Sequence, residues 1–353
     1  MGTHHDSVTP ADLAAGVADF PLLAEGAAVD RSMMVVDLDA DLDADTAARA
    51  VDRARNPVRL LIGLRTRREP LTPEQLAVAA ALDTTVTPTE SASTRSLVGV
   101  ADPEHALGEL AAAIVDQEHA AMVLAHVLRA SETLSVPEAL DVESLGYSTL
   151  LGTTGFRRWL EARGPRPLPP PSPMEPVLIE RDGDCLRVTL NRPERRNAYG
   201  AEVRDGLVEA LRLAHADGTV ASVVLDGAGP VFSAGGDLDE FGTTPDLGTA
   251  HLIRTRAGAA RLVDALADRI EVRVHGACVG AGIEVPAFAS RIVAAPGTVF
   301  RLPEVSMGLI PGAGGCVGVP RRIGRWRAYW MCVTNVGLDT ETALAWGLID
   351  EIA

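Results

Sequence analysis

Glu284 and Glu304 each lie inside a glycine-bearing apolar run, HGACVGAGIE over 275–284 and FRLPEVSMGLIPGAGG over 300–315. Burying an ionised carboxylate without a partner is costly. Two carboxyls in such surroundings therefore suit a site in which one holds a proton while the other does not. That is the requirement for general acid–base chemistry.

Two glycine-rich turns offer complementary donors. In FSAGGD, Phe232 to Asp237, adjacent glycines follow a strand-like run. A glycine lets a backbone N–H approach a ligand where a Cβ would clash. Gly236 is a candidate donor, and Asp237 suits the cap of the next helix; a plain tight turn is the other reading. In GAGIE, Gly280 to Glu284, a helix start would turn the Ala281 N–H outward at the positive end of the helix dipole. Two N–H groups aimed at one carbonyl oxygen would make an oxyanion hole, each donor contributing about 3 kcal/mol in the transition state.

The elements that must position these residues follow from pattern. GPRPLPPPSP, residues 164–173, is a proline-rich linker of polyproline type. It divides the chain into a flexible arm (1–30), an α/β and helical domain (31–163) and a catalytic domain (174–353). After it come a hairpin signal, VLIERDGDCLRVTLNRP, and a helix over AEVRDGLVEALRLAHA. A buried strand at ASVVLDG, a long helix near 249–268, strands at RIEVRVHG and around RIVAAPGTVF, and a helix near Arg325 to Val333 complete an α/β class. Upstream, MMVVDLD, PVRLLIGL and SLVGVAD read as strands, ADTAARAVDRA and TPEQLAVAAAL as helices, and Pro103 to Arg163 as long amphipathic helices. None carries a glycine-rich loop or a carboxylate in an apolar frame.

Composition narrows the chemistry. The net charge is -16, which argues against nucleic-acid binding. All 32 basic residues are arginine, so Schiff-base chemistry and a Walker-type lysine loop are excluded. No apolar run is long enough to span a membrane, and the N-terminus lacks the pattern of a secretory signal. The cysteines 185, 278, 316 and 332 lack CxxC spacing and read as reduced core thiols of a cytoplasmic protein.

FSAGGDLDEF, HGACVGAGIE, FRLPEVSMGLIPGAGG and AWGLIDEI, preceded by LNRPERRNAYG, together resemble the crotonase (enoyl-CoA hydratase/isomerase) superfamily over residues 176–353. The resemblance implies a ββα spiral that binds an acyl-CoA thioester, with coenzyme A as part of the substrate and no separate cofactor or metal. It implies oxyanion-hole donors at Gly236 and Ala281, and catalytic roles for Glu284 and Glu304 in adding or removing water across an enoyl double bond. Isomerases of the family often keep only the second glutamate, so a Δ-isomerase is the alternative; a non-catalytic CoA-ester-binding subunit is another. It places Arg195, Arg196, Ala198, Ala234, Gly235, Asp237, Gly280 and Pro303 along the substrate path. It also implies a homotrimer or hexamer, with Arg321, Arg322, Arg325 and Arg327 near a subunit contact.

Relatives continue past GLIDEI into helices that cover the acyl pocket. SLVGVADPEHALGELAAAI and the stretch to Arg163 resemble that tail, and 31–95 looks like a shortened, decayed copy of the core. The expectation is an internal duplication whose first copy supplies the cover for the second; an unrelated α/β domain is the alternative.

Overall fold

The computed structural model describes residues 7–26, 28–89, 93–168, 170–244 and 246–353. Its first half is a five-stranded sheet in sequential order: β1 (Ser7–Val8), β2 (Met33–Asp37), β3 (Leu60–Leu64), β4 (Thr84–Thr87) and β5 (Val98–Gly99). Every pairing is parallel. Helices α1 (Pro10–Ala14), α2 (Ala44–Ala54) and α3 (Pro73–Ala81) are each capped by a short polar side chain, Thr9, Asp43 and Thr72. These caps satisfy N–H groups that a helix start leaves open.

The period of two in the strands sorts this sheet into two faces. Met34, Val36 and Leu61 pack with α1, α2 and α3 in a small core. Val35, Leu60, Ile62 and Val86 point the other way, into a core that runs on through the rest of the chain. On that side lie α4 (Pro103–Asp116), α5 (Glu118–Ser131), α6 (Val136–Leu151) and α7 (Thr154–Arg163).

The expected loose arm over 1–30 is folded from Ser7 onward; residues 1–6 lie outside the described part. Val8, Leu13 and Ala18 are buried. The reason is Arg59, fully buried, whose guanidinium stacks 3.5 Å over Phe20. It donates to the carbonyls of Ala18 (3.0 Å), Phe20 (2.5 Å) and Arg31 (2.7 Å). A buried guanidinium must be satisfied, and it is satisfied by winding this segment around itself.

The second half opens with the antiparallel hairpin β6 (Val177–Asp182) and β7 (Cys185–Leu190). Then follow α8 (Ala201–Ala216), β8 (Ser222–Gly227), α9 (Leu247–Arg256), α10 (Ala260–Ala265), β9 (Ile270–Val274), β10 (Ala277–Val279) and α11 (Ala281–Glu284). The chain ends with β11 (Arg291–Ala294), β12 (Val299–Arg301), α12 (Gly318–Ile323), α13 (Arg325–Thr334), α14 (Thr340–Trp346) and β13 (Glu351–Ile352). The six-stranded sheet runs β13-β11-β9-β8-β7-β6, and β10 pairs with β12 in a small parallel sheet of their own. The chain thus passes twice from the large sheet to the small one, β9 into β10 and β11 into β12, as in a ββα spiral. The single helix expected over 249–268 is two helices. The break falls at Gly258, where a Cβ would collide with the Arg254 carbonyl.

Of the arginines expected near a subunit contact, Arg321 and Arg325 meet the first half of the same chain. Arg325 donates to Leu82 O at 2.8 Å and Ala80 O at 3.0 Å and pairs with Glu132 at 2.9 Å. Arg321 donates to Leu134 O at 3.0 Å. Arg322 points elsewhere, to the Ala287 and Ala289 carbonyls and Asp350. Arg327 is buried, with its guanidinium over Trp346. Among the described residues no helix is long and apolar enough to cross a membrane.

Candidate active site

Register explains how two glutamates twenty residues apart meet. β10 and β12 run parallel with Ala277 opposite Val299 and Val279 opposite Arg301. The chain leaves the end of β10 through Gly280 into α11, which carries Glu284 on its first turn. It leaves the end of β12 through Leu302 and Pro303 into a 3-10 turn that begins at Glu304. The Gly280 N–H donates to Arg301 O at 2.9 Å, locking the two exits together. Gly280 adopts φ 49°, ψ -123°, a conformation closed to most side chains. A Cβ there would sit 2.5 Å from Glu304 Oε1 and 3.6 Å from Glu284 Oε1. The two carboxyls therefore face each other across this glycine.

Their surroundings differ. Glu284 Oε2 accepts the Ala313 N–H at 2.7 Å and the Gly315 N–H at 2.9 Å. Burial pushes its carboxyl up to about 7, against the pull of those amides. Glu304 Oε2 is buried with no hydrogen-bond partner among the described residues. Burial first, and the neighbouring Glu284 and Glu143 carboxyls second, hold Glu304 well above the ordinary carboxylate range. Both groups keep a proton into the range where a free glutamate has lost it.

The FSAGGD loop joins the same exits. Ser233 N–H donates to Ala277 O at 3.1 Å, and Val279 N–H to Ser233 O at 3.1 Å. Gly235, at φ 89°, brings its Cα so close to the Val279 carbonyl that a Cβ would not fit. Tyr199 N–H donates to Gly235 O, and Asp237 N–H to Tyr199 O, so this ladder passes over the Gly236 N–H. Ala281 is the first residue of α11 and has no intrahelical acceptor. Gly236, Ala281, Glu284 and Glu304 line one cavity of about 210 Å³.

Asn197, fully buried, ties the NRPERRNAYG turn to this loop. Its Nδ2 donates to the carbonyls of Ala228 (2.8 Å), Val231 (3.1 Å) and Phe232 (3.0 Å). Arg195 is committed within the protein, to Asp237 at 2.7 Å and Asp239 at 2.9 Å. It fastens the loop, and its charge is already answered there. Asp237 caps the following turn, accepting the Asp239 N–H at 3.0 Å, and lines the cavity. Arg195 and Ala198 line a small adjoining groove with Arg192 and Glu202. Ala234, Gly235, Gly280 and Pro303 lie behind these surfaces, whereas the Arg196 side chain is exposed; Ala234 N–H donates to Arg196 O at 2.9 Å. The thiols of Cys278, Cys316 and Cys332 are buried, and burial pushes all three up.

The roof of the cavity comes from the first half of the chain. Leu140, Glu143, Ser144, Tyr147 and Leu151 of α6 and Phe156 of α7 all face it. Tyr147 lies against Gly312, where a Cβ would run into the ring, and Gly308 meets the Phe156 backbone as closely. The Arg254 guanidinium sits 4.4 Å over the Tyr147 ring and donates to Ser144 Oγ at 3.1 Å. None of these roof residues was singled out from sequence. Their signal was present only as a Glu at position 143 inside a helix otherwise rich in apolar and small residues.

A family model described as enoyl-CoA hydratase/isomerase matches residues 180–353. The 1,2-epoxyphenylacetyl-CoA isomerase of Escherichia coli K12 is 33% identical over 184 residues, covering 51% of this chain and 70% of that protein. The chain belongs to the enoyl-CoA hydratase/isomerase family. Another relative is the 2,3-dehydroadipyl-CoA hydratase of the same organism, 31% identical over 51% of this chain and 69% of its own. A solved structure of an enoyl-CoA hydratase from Thermoplasma volcanium GSS1 is 30% identical, with a TM-score of 0.48 over 51% of this chain and 72% of that one. The family match begins inside β6, so the roof helices lie outside the matched region of this family member.

Proposed function

We propose that this protein adds water to, or removes it from, the 2,3 double bond of an enoyl-CoA thioester. The observation that carries the reading is the pair Glu284 and Glu304 facing across Gly280, beside the Gly236 and Ala281 N–H groups. The thioester oxygen takes the place between those two donors, which stabilise the enolate-like charge that develops on it. Glu284, anchored by two amides on Oε2, keeps Oε1 toward the cavity and accepts a proton from water as the water oxygen bonds to C3. Glu304, protonated and with Oε2 unengaged, delivers its proton to C2. One water is consumed; the carboxyls exchange protonation states and reset by proton transfer between them. Dehydration is the same path reversed. Coenzyme A enters as part of the substrate, and in the 192–196 turn the exposed Arg196 is the arginine left to meet its nucleotide end, since Arg192 and Arg195 are paired with Glu202 and with Asp237 and Asp239.

The same Glu304 could move one proton between C2 and C4 without water. A relative named trans-2-decenoyl-(acyl-carrier-protein) isomerase, from Streptococcus mutans and 30% identical over 183 residues, supports keeping that second reading. Crotonyl-CoA and longer, branched and β,γ-unsaturated enoyl-CoAs, followed by absorbance and by ¹⁸O incorporation from labelled water, separate the two. Hydration consumes the conjugated band and incorporates label; isomerisation creates the band from the β,γ-isomer without label. No change with any member of the panel overturns both and leaves a non-catalytic CoA-ester-binding subunit.

A further inference from the structure

Glu143 is a third buried carboxyl at the cavity, and it comes from the half of the chain that the family match does not include. It sits on α6 and is 2% exposed. Its Oε1 accepts the Gly314 N–H at 2.8 Å, and its Oε2 accepts the Cys316 N–H at 2.7 Å. Those amides alternate along one loop with the Ala313 and Gly315 amides that hold Glu284 Oε2. Four successive N–H groups, 313 to 316, are thus shared alternately between a floor glutamate and a roof glutamate. We propose that Glu143 is a positioning residue of the reaction: it grips the 313–316 loop from the roof, so that the loop presents its remaining amides to Glu284, and it sets a negative charge beside Glu284 and Glu304. This inference rests on the hydratase reading of the same site.

Chemistry favours the carboxylate form of Glu143. Each of its oxygens takes an amide hydrogen, an arrangement that a neutral carboxylic acid fits poorly because one oxygen would carry its own proton. The groups that face it are Glu284 from α11, Glu304 from the 3-10 turn after β12, Arg254 from α9, Tyr147 one turn along α6, and the Cys316 thiol. Burial first, then the Glu284 carboxyl, push Glu143 well above the ordinary carboxylate range, against the pull of the two amides and Arg254; an amide hydrogen on each oxygen is the ground for taking it as the carboxylate. A carboxylate here raises the proton affinity of Glu304, the group asked to hold a proton. A glutamine at 143 could accept from one amide only, and its NH₂ would face the other N–H, so Glu143→Gln changes both grip and charge. Glu143→Asp keeps the charge while shortening the reach by one methylene.

Two readouts test the inference on the full-length chain. The first is turnover of the best enoyl-CoA. Glu143→Gln should lower kcat by roughly 10- to 100-fold, the cost of a small misplacement of reacting groups, with KM changed less than about threefold. The alkaline limb of its pH profile should move to lower pH, because a neutral side chain no longer supports the proton on Glu304. Glu143→Asp should keep the limb near its wild-type position. The second is infrared titration of protonated buried carboxyls, which needs no turnover. Glu304→Gln identifies the Glu304 band, and in Glu143→Gln that band should titrate at lower pH than in wild type. A band and limb that stay in place in Glu143→Gln overturn the inference, as does a drop in kcat explained wholly by loss of folded protein in a thermal melt. Inactivity of the wild type on every enoyl-CoA overturns the hydratase reading instead, and the infrared shift then decides whether Glu143 acts on Glu304.

Discussion

In the five-stranded sheet, β2 and β3 lead by short loops to side-chain-capped helices, at Asp43 and Thr72. In the six-stranded sheet, β9 and β11 run on into β10 and β12 before the chain turns. The first ending consumes backbone N–H groups in caps; the second starts α11 at Ala281 with no side-chain cap. Buried carboxyls follow the same division. Asp83, 3% exposed, is bonded to Arg129 at 2.5 Å and 2.8 Å and to the Leu61 N–H at 2.9 Å. Glu304, 8% exposed, leaves Oε2 without a partner among the described residues. Burial is common to both; what separates them is the hydrogen-bonding capacity that Glu304 leaves unmet.

The harshest test of this division is to remove its first member. A fragment of residues 174–353 should be insoluble or inactive, because it loses Glu143, Tyr147 and the apolar residues that share its core. A soluble, fully active fragment, seen by size exclusion and enoyl-CoA assay, would show that the roof is dispensable. Next in size is Glu304→Gln, which should reduce turnover by at least about two orders of magnitude, the range for loss of a general acid, while leaving the melting temperature near wild type at pH 4. Asp83→Ala should do the reverse. It leaves Arg129 without its buried partner and should cost about 3 to 5 kcal/mol in denaturant unfolding, with the pH profile of the remaining activity unchanged. Should Asp83→Ala move the profile, the division between structural and reactive carboxyls breaks down.

Glu284→Gln sharpens the comparison through pH. The Glu284 carboxyl lies at about 7 in the folded chain against an ordinary 4.5. Between those values the folded state holds a proton that the unfolded chain has released, so stability falls as pH rises through the window and levels off above it. At pH 8 this amounts to as much as about 3 kcal/mol at 1.36 kcal/mol per unit. A glutamine oxygen can still accept both loop amides, since Glu284 uses one oxygen for the two. Glu284→Gln should therefore melt higher than wild type at pH 8, melt alike at pH 4, and lose turnover. Equal melting at both pH values would mean that the carboxyl carries no burial penalty.

Much of the floor of the site was legible because its chemistry is local. The Gly280–Glu284 turn, the FSAGGD loop and the Pro303–Glu304 turn each declare themselves within ten residues. The helices 44–54, 73–81 and 201–216 were legible from periodicity and caps for the same reason. The roof was not. Glu143 and Tyr147 meet the loop across more than 160 residues of chain, and no local pattern encodes such a contact. Gly308 and Gly312, given no role from sequence, make room for the roof at Phe156 and Tyr147. The arm was misread because the arginine that organises it, Arg59, lies 28 to 41 residues beyond the carbonyls it holds. Arg195 looked free for a phosphate because its partners, Asp237 and Asp239, lie in the next loop.

The chain order of roof and floor also bears on how the molecule is made. As the polypeptide leaves the ribosome, α4 to α6 emerge before the six-stranded sheet they will cover, with apolar faces and nothing downstream to receive them. The parallel sheet β1–β5 has already been synthesised by then, and its Val35, Leu60, Ile62 and Val86 face offers those helices a first surface. The first sheet thus gives the roof helices a packing partner before the floor they cover has been made.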